Sequence, residues 1–418
     1  MKLDIRLPDQ GLILNVVAIL AVGLIALASA AHGEFLLRQI IYIVVGAGLM
    51  MFIYRICDLG FFQRNVVSIY IFNIALLLAL KAFGTTVLGA QRWIKLGPVS
   101  IQPSEIAKVC LIITLAVWLS RNPIRNYIDI VKTLAIVAIP ALFVVIQPDL
   151  GTTLVYIAIS FGMIFWAGAS LVEIMVLISP VATAILASLG NKIFEYQDGI
   201  LDFSITIPVV IFWLILIAIT TWRYRAWESP LKSFGVTSLL AGNILVMVFK
   251  SIAWGLLKDY QQKRLTIFMD PYVDPLGSGY HIIQSLYAIG SGGMWGKGAM
   301  RGDLTQGQFV PEQHTDFIFS AIGEEYGFIG SIFVVFLYGL LCLKIIQRAS
   351  DAESRFASLI AIGTFSMMFF HIFVNIGMTL SVMPITGVPL PFMSYGGSSL
   401  LVNLFLVTLI AKGSKEKF

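Results

Sequence analysis

Apolar runs of about 20 residues recur along almost the whole chain, and that is the length a helix needs to cross the hydrocarbon of a bilayer. They lie near 11–32, 34–54, 66–84, 104–121, 129–147, 151–168, 171–190, 204–222, 235–257, 317–345, 356–382 and 398–412. About 12 transmembrane helices are predicted. Of the 418 residues, 58% are hydrophobic and 12% charged, more apolar surface than a soluble domain can bury. The expected fold is an all-α polytopic membrane protein, one integral membrane domain over 1–418. The first run starts near Gly11, exceeds the apolar core of a signal peptide and has another membrane-length run close behind it, so it is expected to remain in the mature protein.

Lys and Arg concentrate in short cytoplasmic connections. With the N-terminus inside, alternate connections carry Arg55 and Arg64; Arg121 and Arg125; Arg223, Arg225 and Lys232; Lys344, Arg348 and Arg355; and Lys412, Lys415 and Lys417. The count closes with both termini in the cytoplasm. Four polar stretches then emerge on the outer face: Arg92 to Pro103, QPDLG at 147–151, the long stretch 259–315, and PITGVPLPFMSYGGSS at 384–399. Pro, Gly and polar backbone at membrane depth are tolerated where they are buried in protein or face a wet cavity. These stretches are therefore expected to line one site.

The long stretch interrupts an otherwise apolar sequence, and its regularly spaced Ile, Tyr, Phe and Trp set it apart from disordered tracts. It is expected to be an ordered extracellular loop over 258–316. Asp270 and Asp274 each precede a proline, which holds their backbone extended and off any helix. Glycines at 277, 279, 290, 292, 293, 296 and 298 permit tight turns and close approach of backbone to a ligand.

Ionisable residues in or beside membrane helices are functional candidates. Glu105 and Lys108 share a helix face three residues apart; they form either a structural ion pair or a site where Lys108 offers its ammonium to an anion. Pro103 and Ser104 start that helix, so the pair lies one turn inside an N-terminus that also favours anions. Arg92, Trp93 and Lys95 stand at the outer surface, where a Trp anchors at the interface or stacks on a sugar and an Arg takes phosphate oxygens. Asp149 is a helix cap or a ligand contact. Lys263, Arg264, Lys297 and Arg301 give the loop a positive face suited to a polyanionic ligand. Asp270 and Asp274 are general-base candidates, with turn capping as the alternative. His314 and Asp316, with Glu324 and Glu325 further along, form a second polar cluster, and a divalent ion there is undemonstrated.

Cys57, Cys110 and Cys342 lie far apart with no CxxC or His-rich spacing, which favours packed free thiols over a zinc site or disulfide framework. The net charge of +5 is scattered and carries no nucleic-acid motif.

Six blocks, in order, resemble the SEDS (RodA/FtsW) family of cell-wall polymerases: GAQRWIKLGPVSIQPSEIAK at 89–108, QPDLGT at 147–152, DPYVDPLGSGYHIIQSLYAIGSGGMWGKG at 270–298, FVPEQHTDFIFSAIGEEYG at 309–327, NIGM at 375–378 and GVPLPFMSYGGSS at 387–399. The pattern DPLGSGYHIIQS favours the elongation-type branch. The resemblance implies a peptidoglycan glycosyltransferase that polymerises lipid II at the outer face of the bacterial cytoplasmic membrane during cell elongation and shape maintenance. Undecaprenyl pyrophosphate would be the leaving group and a class B penicillin-binding protein the transpeptidase partner. It puts the catalytic acid on Asp274 in the loop, an activity-linked tryptophan on Trp93 and paired charges on Glu105 and Lys108. Arg92, Asp149, Lys263, Arg264, Lys297, His314, Asp316, Ser394 and Ser398 complete the expected substrate contacts. Mg2+ or Mn2+ is the expected cofactor if any is needed. Family members usually have ten spanning helices, so 171–257 is expected to add a helix pair. Two rival readings stay open: a flippase for a lipid-linked sugar, and a non-catalytic scaffold for a transpeptidase.

Overall fold

The structure is a computed structural model that describes residues 10–31, 33–87, 90–96, 99–125, 127–147, 149–170, 173–174, 215, 242, 259–277 and 279–413. In chain order its helices are α1 Gln10–Ala30, α2 Gly33–Ile56, the short α3 Leu59–Arg64, α4 Val66–Phe83, α5 Pro103–Arg121, α6 Tyr127–Ile146, α7 Leu150–Trp166, α8 Asp259–Met269, α9 Tyr280–Gly292, the single turn α10 Asp303–Gln306, α11 Ile318–Asp351, α12 Arg355–Thr379 and α13 Gly397–Gly413. Every predicted membrane-length run that falls on described residues is a helix. Among those residues α1, α2, α5, most of α6, α11 and α12 are long and apolar enough to span a membrane, and α4, α7 and α13 are shorter apolar helices. The protein is an all-α polytopic membrane protein in its spanning part. The helices expected at 171–190, 204–222 and 235–257 fall almost wholly outside the described residues.

Most of the described part of the polar stretch from Arg92 to Pro103 belongs to a small antiparallel sheet. Its strands are β1 Thr85–Val87, β2 Ala90–Leu96 and β3 Val99–Ile101, in the order β1-β2-β3. Val87 faces Ala90 across the first pair, and Leu96 faces Val99 across the second.

The chain divides into two compact units: Met1–Pro123 with Lys132–Ala167 and His281–Phe418, and Ile124–Val131 with Gly168–Tyr280. In the first, α5 is the most enclosed helix, packed against α4, α7, α12 and α13. Small residues let these helices approach, as they do where no solvent drives association. A Cβ on Gly363 of α12 would lie 2.8 Å from Met163 Sδ of α7 and 2.9 Å from Ile112 Cγ2 of α5.

The long helix α11 breaks at Gly327, whose φ of 62° and ψ of −158° suit only glycine. A break frees backbone groups that hydrocarbon cannot satisfy. The glycine-rich stretch after α9 supplies their partners. Phe328 N–H donates to Gly293 O at 2.9 Å and Ile329 N–H to Met294 O at 3.2 Å, while Glu324 O and Glu325 O accept from Lys297 N–H at 3.1 Å and Gly298 N–H at 2.9 Å. Gly296, at φ 79°, lies so close that a Cβ there would meet Tyr326 Cα at 2.6 Å.

Beside this break the fully buried Glu324 carboxylate accepts from Lys297 Nζ at 2.8 Å, Leu304 N–H at 3.0 Å, Thr305 N–H at 2.8 Å and Thr305 Oγ1 at 2.7 Å. Its neighbour Glu325 accepts from the hydroxyl of Ser29 in α1 and from Gln306. The pair thus ties α1, α10 and the glycine-rich stretch to α11. Hydrogen bonds to Glu324 and Asp303 raise the Lys297 pKa above the ordinary lysine value. The stability this adds is present below that ordinary value and is lost as pH rises through the raised one. Lys297→Met is expected to cost about 1–3 kcal/mol, the range for a hydrogen bond to a buried charge, read as a lower unfolding midpoint of the purified chain. An unchanged midpoint would mean that Leu304 and Thr305 hold Glu324 unaided.

Candidate active site

A polar cavity of about 320 Å³, counting its open mouth, lies in the first unit, lined by Arg92, Gln102, Glu105, Lys108, Asp149, Thr152, Val155, His371 and the backbone stretch 387–389. Each wall follows from local structure. Arg92 comes from β2, where successive side chains alternate between faces, so Trp93 turns to the other side of the sheet. Gln102 is the N-cap of α5, Pro103 its first residue, and one turn on come Glu105 and Lys108.

Lys108 is 1% exposed and Glu105 5%. Lys108 Nζ donates to Glu105 Oε1 at 2.7 Å and meets His371 Nε2 of α12 at 3.2 Å. The other ring nitrogen, Nδ1, lies 3.2 Å from the carbonyl of Pro389. A carbonyl only accepts, so Nδ1 carries the proton and Nε2 offers its lone pair to the ammonium. His371 was missed by the sequence reading, although an ionisable residue in mid-helix of an apolar run is itself a signal.

Asp149 has the capping role. Its carboxylate accepts from Thr152 N–H at 3.2 Å and Thr152 Oγ1 at 3.0 Å at the start of α7. A Cβ on Gly151 would sit 2.7 Å from Thr386 O, so the QPDLG turn and the 384–399 stretch meet. Both α5 and α7 begin at this cavity, and helix N-termini favour anions. Four buried polar atoms adjoin its wall without a hydrogen-bond partner among the described residues: Ser104 Oγ, Tyr156 Oη, Asn375 Oδ1 and Thr386 Oγ1.

Other expected contacts hold the wall rather than line it. Asn375 Nδ2 donates to Asp316 O and Val388 O, both at 2.8 Å, and the Asp316 carboxylate lies against Gly387. Ser394 Oγ accepts from Leu390 N–H at 2.9 Å, closing a turn, and Ser398 Oγ accepts from Gln102 N–H at 3.2 Å, joining α13 to the start of α5. His314 packs on Phe35 with ring centroids 4.5 Å apart, and its carbonyl accepts from Tyr395 N–H at 2.9 Å. Burial lowers the His314 pKa below the ordinary histidine value, against the pull of Glu312. Lys297, expected on a positive ligand-facing surface, is instead held between Glu324 and Asp303. The reason is that a buried carboxylate needs a nearby cation more than an exposed loop does.

In the second unit, α8 carries Lys263 and Arg264, and a 3-10 turn over Pro271–Val273 separates the two aspartates. Asp270 is exposed and its carboxylate accepts from Tyr272 N–H at 2.9 Å, an ordinary cap. Asp274 is half-buried. Its carbonyl accepts from Gly279 N–H at 3.0 Å, and its carboxylate lies over Gly277, where a Cβ would be 2.5 Å from Oδ1.

Among the described residues no group of three or more His, Cys, Asp or Glu could hold a metal ion. At the cavity, Glu105 is bonded to Lys108 and Asp149 to Thr152, so these side chains do not by themselves fit a divalent site.

The chain matches the sequence profile of the FtsW/RodA/SpoVE family, described as cell cycle proteins, over residues 8–203 and 200–417. It is 35% identical over 425 residues to the peptidoglycan glycosyltransferase RodA of Treponema pallidum, covering 96% of each chain. To the peptidoglycan glycosyltransferase MrdB of Escherichia coli K12 it is 34% identical over 400 residues, covering 94% of this chain and 90% of that one. Among solved structures it resembles a chain of a peptidoglycan synthase complex that coordinates polymerization and crosslinking, with TM-score 0.69, 28% identity and 97% of both chains covered. The rod shape determining protein RodA of Thermus thermophilus shares the fold at TM-score 0.62 and 24% identity, over 99% of both chains. The chain belongs to the FtsW/RodA/SpoVE family of cell cycle proteins.

Proposed function

We propose that this chain is a peptidoglycan glycosyltransferase that polymerises lipid II into glycan strands during cell elongation and shape maintenance. The observation that carries the reading is a buried lysine, Lys108, ion-paired with Glu105 at a polar cavity where two helices begin and Arg92 enters. Such a place suits the diphosphate of a lipid-linked sugar. The long identity to glycosyltransferases of the RodA type supports the same activity.

In the reaction, the acceptor hydroxyl gives its proton to Asp274 while its oxygen bonds to the anomeric carbon of the donor. The bond from that carbon to the diphosphate breaks, and the electron pair leaves with undecaprenyl pyrophosphate. The charge that gathers there calls for cations, a role that the charge pattern and the family assign to Lys108, Arg92, Lys263 and Arg264, as the family assigns sugar stacking to Trp93. Asp274 is preferred over Asp270 as the base because the Asp270 carboxylate is exposed and already caps a turn. Mg2+ or Mn2+, where used, would enter with the substrate and take its oxygens chiefly from the phosphates.

The remaining assignments rest on the charge pattern and the family. The chain has about 12 spanning helices, ten of a common core and a further pair within 171–257. Both termini are in the cytoplasm, the 258–316 loop is extracellular and catalytic, and the membrane is the bacterial inner membrane. A class B penicillin-binding protein cross-links the product, a reading supported by the solved complex that couples polymerization to crosslinking.

Asp274→Asn is expected to insert and fold normally but to make no glycan from purified lipid II, while Asp270→Asn keeps most activity. Near-normal polymer from the Asp274 variant would end its role as base, and movement of labelled lipid without any polymer from the unaltered chain would favour a flippase.

The paired change Glu105→Gln with Lys108→Gln removes both charges and leaves no lone buried ion. It is expected to keep the fold and to lower kcat/KM for lipid II by about 100-fold, equivalent to about 2.7 kcal/mol of lost stabilisation. Steady-state kinetics at wild-type level would show that the ammonium serves packing alone.

A further inference from the structure

His371 has no part in the reaction as set out above, yet it is 1% exposed in the middle of α12 and has both ring nitrogens engaged. A histidine retained only to fill space would be exchanged for Leu or Phe without leaving a polar group to satisfy, and polar groups at membrane depth are costly. The ring bridges two parts of the cavity wall. On one side Nδ1–H donates to Pro389 O, and on the other Nε2 accepts from Lys108 Nζ, each at 3.2 Å.

The carbonyl before that of Pro389, that of Val388, is fixed from the same helix. Asn375 lies four residues after His371 and so on the same face of α12, and its amide donates to Val388 O at 2.8 Å. Two successive residues of the wall are therefore gripped by α12, and the ring's tautomer is set by that grip.

An ammonium has three N–H donors. Glu105 alone, on the same helix three residues away, would draw the flexible lysine back along α5. With His371 as a second acceptor, Nζ is held between two elements, and its remaining N–H is directed by the tetrahedral geometry of the nitrogen. We propose that His371 is a positioning residue for glycosyl transfer, holding the Lys108 ammonium so that its third N–H meets the leaving diphosphate. This rests on the reading of Lys108 as the diphosphate anchor.

The two amide replacements separate this role from packing. His371→Gln places an amide oxygen near Nε2 and keeps an acceptor for Lys108. His371→Asn keeps a group near Nδ1 for Pro389 and loses that acceptor. With the full-length purified chain and lipid II, His371→Asn and His371→Leu are expected to lower kcat/KM about tenfold, the lower end of what outer-shell partners contribute to a charged ligand. His371→Gln is expected to stay within about threefold of wild type. On the Glu105→Gln, Lys108→Gln background, His371→Asn is expected to change kcat/KM by less than about twofold, because the group it acts through is gone.

Equal activity of the Asn and Gln variants would overturn the inference, as would the same fold-loss from His371→Asn on both backgrounds when the charge-free background is itself impaired. If that background instead polymerises at wild-type kcat/KM, the diphosphate reading fails and the inference falls with it. The Asn and Gln comparison decides the matter even where His371→Leu does not fold.

Discussion

Burying the Lys108 ammonium carries a large desolvation cost, and the way α5, α12 and the 387–389 backbone meet in the first unit offsets it. An isolated charge in a medium of low polarity is out of reach, so the group needs a counter-charge and full hydrogen bonding. Glu105 supplies the first from one turn earlier on α5. The second requires another helix, and His371 supplies it from α12. The ring in turn needs an acceptor for its own proton, which draws in the 387–389 backbone. Three segments, α5, α12 and the 387–389 backbone, are thereby held at one place by a single charge.

A second buried charge organises another part of the same unit. Glu324 lies beside the break in α11, and the residues that satisfy it come from the stretch that also mends the break. The two tasks are linked physically. Glycine-rich backbone can approach closely enough to replace the lost helical hydrogen bonds, and Lys297 within it brings the counter-charge. A continuous helix would need neither, and the polar sequence between α9 and α11 would have no reason to fold against the spanning helices.

Much of this was legible in the sequence because the bilayer imposes a length. Runs near 11–32, 34–54, 104–121 and 356–382 correspond to α1, α2, α5 and α12 within a few residues. The paired charges on α5 were legible for a related reason, since i and i+3 share a face in any helix. What could not be read was which side chains meet across elements. His371 looks like any polar residue in an apolar run until α12 is placed against α5. Ser394, Ser398 and Lys297 sit in motifs that suggest ligand contact, yet they close a turn, join two helices and neutralise a carboxylate. The sheet over 85–101 was overlooked because its strands are only three to seven residues long, too short for a period to stand out against membrane helices.

The formal charges around the cavity balance: Arg92 and Lys108 against Glu105 and Asp149, with His371 contributing none in the tautomer its contacts impose. Neutrality lets such a polar place exist beside apolar helices when nothing is bound. Attraction for an anion then comes from how the charges point. Asp149 is turned into the start of α7 and Glu105 onto Lys108, so each carboxylate of the cavity is taken up by a neighbour. A helix end is equivalent to roughly half a positive charge, so the start of α5 adds positive potential to a cavity whose formal residue charges sum to zero. In the proposed reaction, stabilisation grows as the glycosidic bond to the diphosphate breaks and negative charge gathers on the departing oxygen, because dipoles and cations already fixed in place need no reorganisation at that moment. On the proposed reading, holding Lys108 from two sides keeps it part of that fixed array, so the neutral ring on α12 acts on the chemistry through the ammonium it orients.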